Sequence, residues 1–91
     1  MALSATIVCN NILQRSFREN IVVTPMKLQK LMYFISCEYI KATNSELFSE
    51  DFCVWQHGPV LPSVYDEFKS FRGNQINSYA KDAKGDSFAY D

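Results

Sequence analysis

The sequence predicts a mainly α-helical domain with a small β element: three helices arranged around a central helix over about residues 25–42, and one short strand near 52–57. Three observations lead there. Thr24-Pro25 opens a long run with apolar residues at helical spacing and nothing to break it before about Ala42. Two further periodic runs begin at Ser4 and at Pro62-Ser63. Between them, Phe52 to His57 alternates at a period of two with aromatic and β-branched content.

The first helix is expected from about Ala5 to about Phe17. Ser4 stands as its N-cap, Ala5, Val8, Cys9, Ile12 and Leu13 form its apolar face, and Arg15 and Arg18 suit the negative end of its dipole. Asn20 begins a short extended link through Ile21, Val22 and Val23. In the second helix Thr24 caps and Pro25 occupies the first position, where a missing N–H costs nothing. At about 100° per residue, Leu28, Leu31, Met32, Ile35 and Tyr39 form one apolar face, and Met26, Tyr33, Cys37 and Ile40 form a second. A helix with two apolar faces is expected between neighbours, hence its central position. Gln29 and Ser36 lie in the seam, while Lys27, Lys30, Phe34, Glu38 and Lys41 make the remaining stripe.

Thr43 to Glu46 reads as a loop, after which Leu47 and Phe48 return to the core. Gly58-Pro59 is expected to turn the chain from the strand into the third helix. That helix carries Asp66 and Glu67 early, Lys69 and Arg72 late, and Gly73 as the residue just past its end. Val64, Phe68 and Phe71 are its buried stripe. Asn74 to Tyr79 reads as extended, and the tail with Phe88 and Tyr90 is a candidate partner for the 52–57 strand. Leu28, Leu31, Ile35, Trp55, Phe68 and Phe71 are expected to be buried together. On that reading Trp55 is the largest anchor, and Trp55→Ala should cost about 3–5 kcal/mol.

A chain of 91 residues is one domain, here expected as a single unit over 1–91. Nine basic against ten acidic residues leave a net charge of −1, without the basic excess of a free-standing nucleic-acid binder. No apolar run approaches the roughly 20 residues that span a bilayer. The start, Met1 to Cys9, lacks a basic region and a small-x-small cleavage site, and reads as a mature cytoplasmic N-terminus. Cys9, Cys37 and Cys53 are odd in number and irregularly spaced, which fits free thiols in a reducing compartment better than zinc or disulfides.

The sequence carries no recognisable catalytic set. Three isolated glycines cannot build a phosphate loop. The single histidine, His57, sits about 13 Å along a straight strand from Cys53, far outside hydrogen-bond reach, and reads as a turn residue. Adjacent carboxylates (Glu50-Asp51, Asp66-Glu67) diverge on strand or helix. The sequence therefore implies no enzyme, no cofactor and no metal.

Two motifs carry a family resemblance. The run Thr24-Pro25-Met26-Lys27-Leu28-Gln29-Lys30-Leu31-Met32-Tyr33-Phe34 resembles the opening helix motif of the Panacea domain, the SocA-like antitoxin or phage-associated family. Trp55-Gln56-His57-Gly58-Pro59-Val60-Leu61-Pro62-Ser63-Val64-Tyr65 resembles its second signature, a tryptophan followed by Gly-Pro-Val and Pro-x-x-Tyr. Leu47-Phe48 and Phe71-Arg72-Gly73-x-x-Ile76 fit as well, so the likeness covers about Ala5 to Ile76. Ser36-Cys37-Glu38-Tyr39 stands where members often carry a small-His-Gly-aromatic run. A further helical region past the third helix is usual in the family, and a short or diverged member is expected. Pro25, Leu28, Leu31, Trp55, Gly58, Pro59 and Tyr65 read as structural motif residues, in core and turns.

The resemblance implies a non-catalytic protein that binds and neutralises a toxin, one branch of the family resembling adaptors that deliver toxins to an AAA+ protease. An alternative is a phage or mobile-element inhibitor of a host defence or nucleic-acid enzyme. A further alternative is a small DNA-binding regulator, for which the Lys27/Lys30/Lys41 stripe is the sole support. The expected partner is accordingly another protein, toxin or host enzyme, with a homodimer left open and no membrane. The candidate partner-binding residues are Lys27, Lys30, Phe34, Glu38 and Lys41. Phe34 among those charges is either covered by Phe88 or Tyr90 of the tail or exposed as an interface anchor.

Overall fold

In the computed structural model, which describes residues 4–80, helix α1 spans Ala5–Arg18 and helix α2 Pro25–Thr43. Strands β1 (Cys53–Trp55) and β2 (Gly58–Val60) follow, then helix α3 (Pro62–Phe68), which runs on into a 3-10 turn over Lys69–Phe71. The fold is mainly α with a small β part, as the periodicities require.

Local chemistry sets the helix ends. The Ser4 hydroxyl accepts from the Ile7 N–H at 3.2 Å, and the Thr24 hydroxyl accepts from the Lys27 N–H at 3.3 Å. Pro25 stands in the first turn of α2. Asn44 closes α2 in the left-handed region at φ 57°, donating its N–H to the Ile40 carbonyl at 2.8 Å. Asn20 does the corresponding work after α1, at φ 56°.

The core lies where α1, the N-terminal half of α2 and α3 meet. Cys9 and Leu13 of α1, Leu28 and Met32 of α2, and Leu61 and Phe68 near α3 are all buried. Phe48 closes one side, and Val23 and Ile76 are joined by a hydrogen bond from the Ile76 N–H to the Val23 carbonyl at 2.8 Å. Leu47 packs against this cluster, in keeping with the return of Leu47-Phe48 to the core.

Four expectations are corrected. First, the strand is three residues long and pairs with β2, its immediate successor: Cys53 faces Val60, Val54 faces Pro59 and Trp55 faces Gly58, antiparallel. The C-terminal residues Phe88 and Tyr90 lie outside the described part. Second, Gly58-Pro59 belongs to β2, and the turn is Gln56-His57. Gly58 is still needed, because it adopts φ 116°, which side-chain-bearing residues rarely reach. Third, α3 ends at Phe68, and the left-handed residue past the 3-10 turn is Arg72 (φ 56°) in place of Gly73.

The fourth correction concerns the core itself. Of the six residues expected to be buried together, Leu28 and Phe68 are; Leu31, Ile35 and Phe71 are half-buried, and Trp55 is 41% exposed. Trp55 leans on Tyr65 at the edge of an open groove and is only partly covered there, so the larger cost expected for a buried tryptophan does not apply. The second apolar face of α2 is likewise open: Met26, Tyr33 and Ile40 are exposed. Burial in α2 is confined to Leu28, Gln29 and Met32, because the hairpin and α3 meet it around Gln29 and leave its C-terminal half uncovered.

Candidate functional site

Gln29 organises the surface between the two motifs. Its side-chain amide is buried and doubly paired: Nε2 donates to the Leu61 carbonyl at 3.1 Å, and the Leu61 N–H donates to Oε1 at 2.8 Å. An amide so placed imitates a neighbouring strand, satisfying both backbone groups where β2 gives way to α3. The consequence is positional. The hairpin and α3 are held against the first turns of α2, and Trp55 meets Tyr65 edge-on with ring centroids 4.9 Å apart at 73°.

A groove of about 410 Å³ opens at this junction. Pro25, Met26, Gln29 and Lys30 contribute from α2, Trp55, Gln56, His57, Pro59 and Val60 from the hairpin, Val64 and Tyr65 from α3, and Arg72 from the turn beyond it. Met26, Trp55 and Tyr65 are all about half in solvent. Both sequence motifs therefore converge on one concavity, and several residues read as core or turn form its walls. The Pro and aromatic content shared by the two motifs was the available signal. What the sequence lacked was the hairpin pairing that sets Trp55 beside Tyr65.

The groove is apolar with a cationic rim. Lys30 and Arg72 line it with His57, and no carboxylate does. Among the described residues neither Lys30 nor Arg72 has an ion-pair or side-chain hydrogen-bond partner. The lining holds no serine, thiol or carboxylate to work with His57, which sits exposed in the hairpin turn. No cluster of three His, Cys, Asp or Glu side chains able to hold a metal occurs among the described residues. The lining thus presents apolar and aromatic surface with two cations at its edge.

Phe34 is 61% exposed, and Lys27, Lys30, Glu38 and Lys41 are exposed around it. Lys41 pairs with Glu38 at 3.2 Å, and the Lys27 ammonium donates to the Val22 carbonyl at 3.3 Å. Covering of Phe34 by Phe88 or Tyr90 falls outside the described residues. Lys30 belongs to both surfaces: it lines the groove and stands one helical turn from Phe34.

The model of the family described as "Antitoxin SocA-like, Panacea domain" matches residues 28–91, which takes in most of α2, the hairpin and α3. No curated protein and no solved structure matches the chain. No helix among the described residues is long and apolar enough to cross a membrane.

Proposed function

The chain belongs to the SocA-like antitoxins, the Panacea-domain family, and from that membership we propose that it is a non-catalytic module that binds and neutralises another protein. The observation that supports this reading most directly is Phe34. A phenylalanine 61% exposed, with charged side chains on its own helix face and apolar faces to either side, has the make-up of an interface anchor with a polar rim. The partner-binding surface is Phe34 with Lys27, Lys30, Glu38 and Lys41. Delivery of the partner to an AAA+ protease is a second form of the same role, and would show as a fall in the partner's abundance.

The test is co-expression with a toxin-like protein encoded beside the gene. The wild-type chain restores growth and co-purifies with that protein. Phe34→Ala loses at least ~2 kcal/mol of binding, roughly a thirtyfold rise in Kd, while its melting temperature stays close to wild type. Lys27→Ala and Lys41→Ala mainly slow association at low salt. Growth arrest that persists in the presence of the folded wild-type chain overturns the reading. A Phe34→Ala chain that melts early yet binds normally per folded molecule assigns Phe34 to stability instead.

A further inference from the structure

We infer that the groove between Met26, Trp55 and Tyr65 takes an extended acidic segment of the partner protein, with an apolar side chain seated on the aromatic walls and carboxylates facing Lys30 and Arg72. The inference deepens the binding-module reading by naming the chemistry of the segment, and rests on that reading only in taking the occupant to be protein.

Charge selects the occupant. The molecule as a whole carries −1, yet the groove lining holds two cations and no carboxylate. A local field opposite in sign to the net charge is a selective feature, because it attracts acidic ligands without making the entire surface sticky to polyanions. The walls select next. Pro25, Met26, Pro59 and Val60 offer apolar surface beside the Trp55–Tyr65 pair, so a fully charged ligand would leave them unmatched. A volume of about 410 Å³ lies within the roughly 300–1,000 Å³ of ligand clefts, enough for one or two side chains and too little for a folded domain. The floor is also preformed: with Gln29 locked onto Leu61, the groove need not be ordered on binding.

Trp55 is the chain's single tryptophan, so its fluorescence reports on the groove directly. The probes are acetylated and amidated heptapeptides alternating leucine with glutamate, and the same peptides with lysine or glutamine for glutamate. The glutamate peptide should shift the emission saturably and bind at least tenfold tighter than the lysine peptide. Salt at about 0.5 M, where the Debye length falls to a few ångströms, should erase most of that preference. The double variant Lys30→Gln/Arg72→Gln should lose the preference while keeping the wild-type melting temperature; if it does not fold, the salt series on the wild-type chain decides. Equal binding of glutamate, glutamine and lysine peptides overturns the inference, as does no saturable response in a natively folded chain. Phe34→Ala, which lies outside the groove, should leave the peptide response unchanged. Loss of neutralisation with peptide binding retained therefore bears on the antitoxin reading, and the reverse outcome bears on the groove alone.

Discussion

Cys9 shows how burial alters a single residue. It lies fully buried on α1, and its thiol is pushed up to about 12, first by loss of water and then by the negative charge of Glu67. In the unfolded chain the thiol ionises near 9. Below that value both states hold the proton and the contribution to stability is constant. Between about 9 and 12 the unfolded chain sheds its proton while the folded one keeps it, so stability falls as pH rises, by up to ~1.4 kcal/mol per pH unit. Cys9→Ala should start from a lower stability at neutral pH, having lost packed volume, and should fall less steeply over that window. Urea unfolding at pH 8 and pH 10.5 for both chains measures the difference; parallel losses would show that Cys9 ionises freely in the folded state.

At the scale of elements, the decisive joint is Gln29 on Leu61. The hairpin is two three-residue strands, too small to stand alone in water. Its position therefore depends on the helices it touches. Gln29→Leu keeps the volume but leaves the buried Leu61 N–H without a partner, while the Leu61 carbonyl still accepts from the Tyr65 N–H at 3.0 Å, so the cost should be roughly 1–3 kcal/mol. Gln29→Glu keeps the acceptor for the N–H and sets a carboxylate against the carbonyl, so it should not rescue the loss. The denaturation midpoint gives the energy and Trp55 emission shows whether the hairpin has left α2. A midpoint within 0.5 kcal/mol of wild type would mean that the hairpin is held by its aromatic contacts alone. Tyr33 on Phe52, with ring centroids 5.1 Å apart, is the contact that would then carry it.

At the scale of the whole molecule, a second buried amide repeats the device. Asn10 on α1 donates through Nδ2 to the Ala80 carbonyl at 2.9 Å and accepts the Ala80 N–H at Oδ1 at 2.7 Å, joining residues 70 apart in sequence. Together with the Ile76–Val23 bond and the edge-on contact of Phe17 with Tyr79, it binds the segment after the 3-10 turn across α1. Asn10→Ala should destabilise the fold by roughly 2–4 kcal/mol, because two buried backbone groups lose their partners. Amide exchange at Ile76 and Ala80 should accelerate more than exchange at Leu28 or Met32. Uniform acceleration would instead mean that this segment unfolds only with the whole domain.

What the sequence by itself determined was the helix starts, the helical period and the strand alternation, whose causes are local, although the turn at Gln56-His57 and the left-handed Arg72 departed from it. Ser4, Thr24 and Pro25 place helix starts, the 3.6-residue period marks the buried faces of α1 and α3, and Phe52 to Trp55 shows strand alternation before any packing is considered. Family membership was legible for the same reason, since both motifs are contiguous in the chain. The tertiary structure decided whatever depends on partners far apart in sequence. Trp55 stays partly exposed because it meets Tyr65 at the wall of an open groove, while Val54 on the other hairpin face points to solvent. One of α2's two apolar faces stays open because only its first turns meet neighbours. Gln29 read as a seam residue and Asn10 carried no signal of its own, and their role exists only once Leu61 and Ala80 arrive from 32 and 70 residues away. The groove belongs to this second group: its walls come from two motifs that periodicity can each place on an element, but neither motif carries the information that the two elements meet.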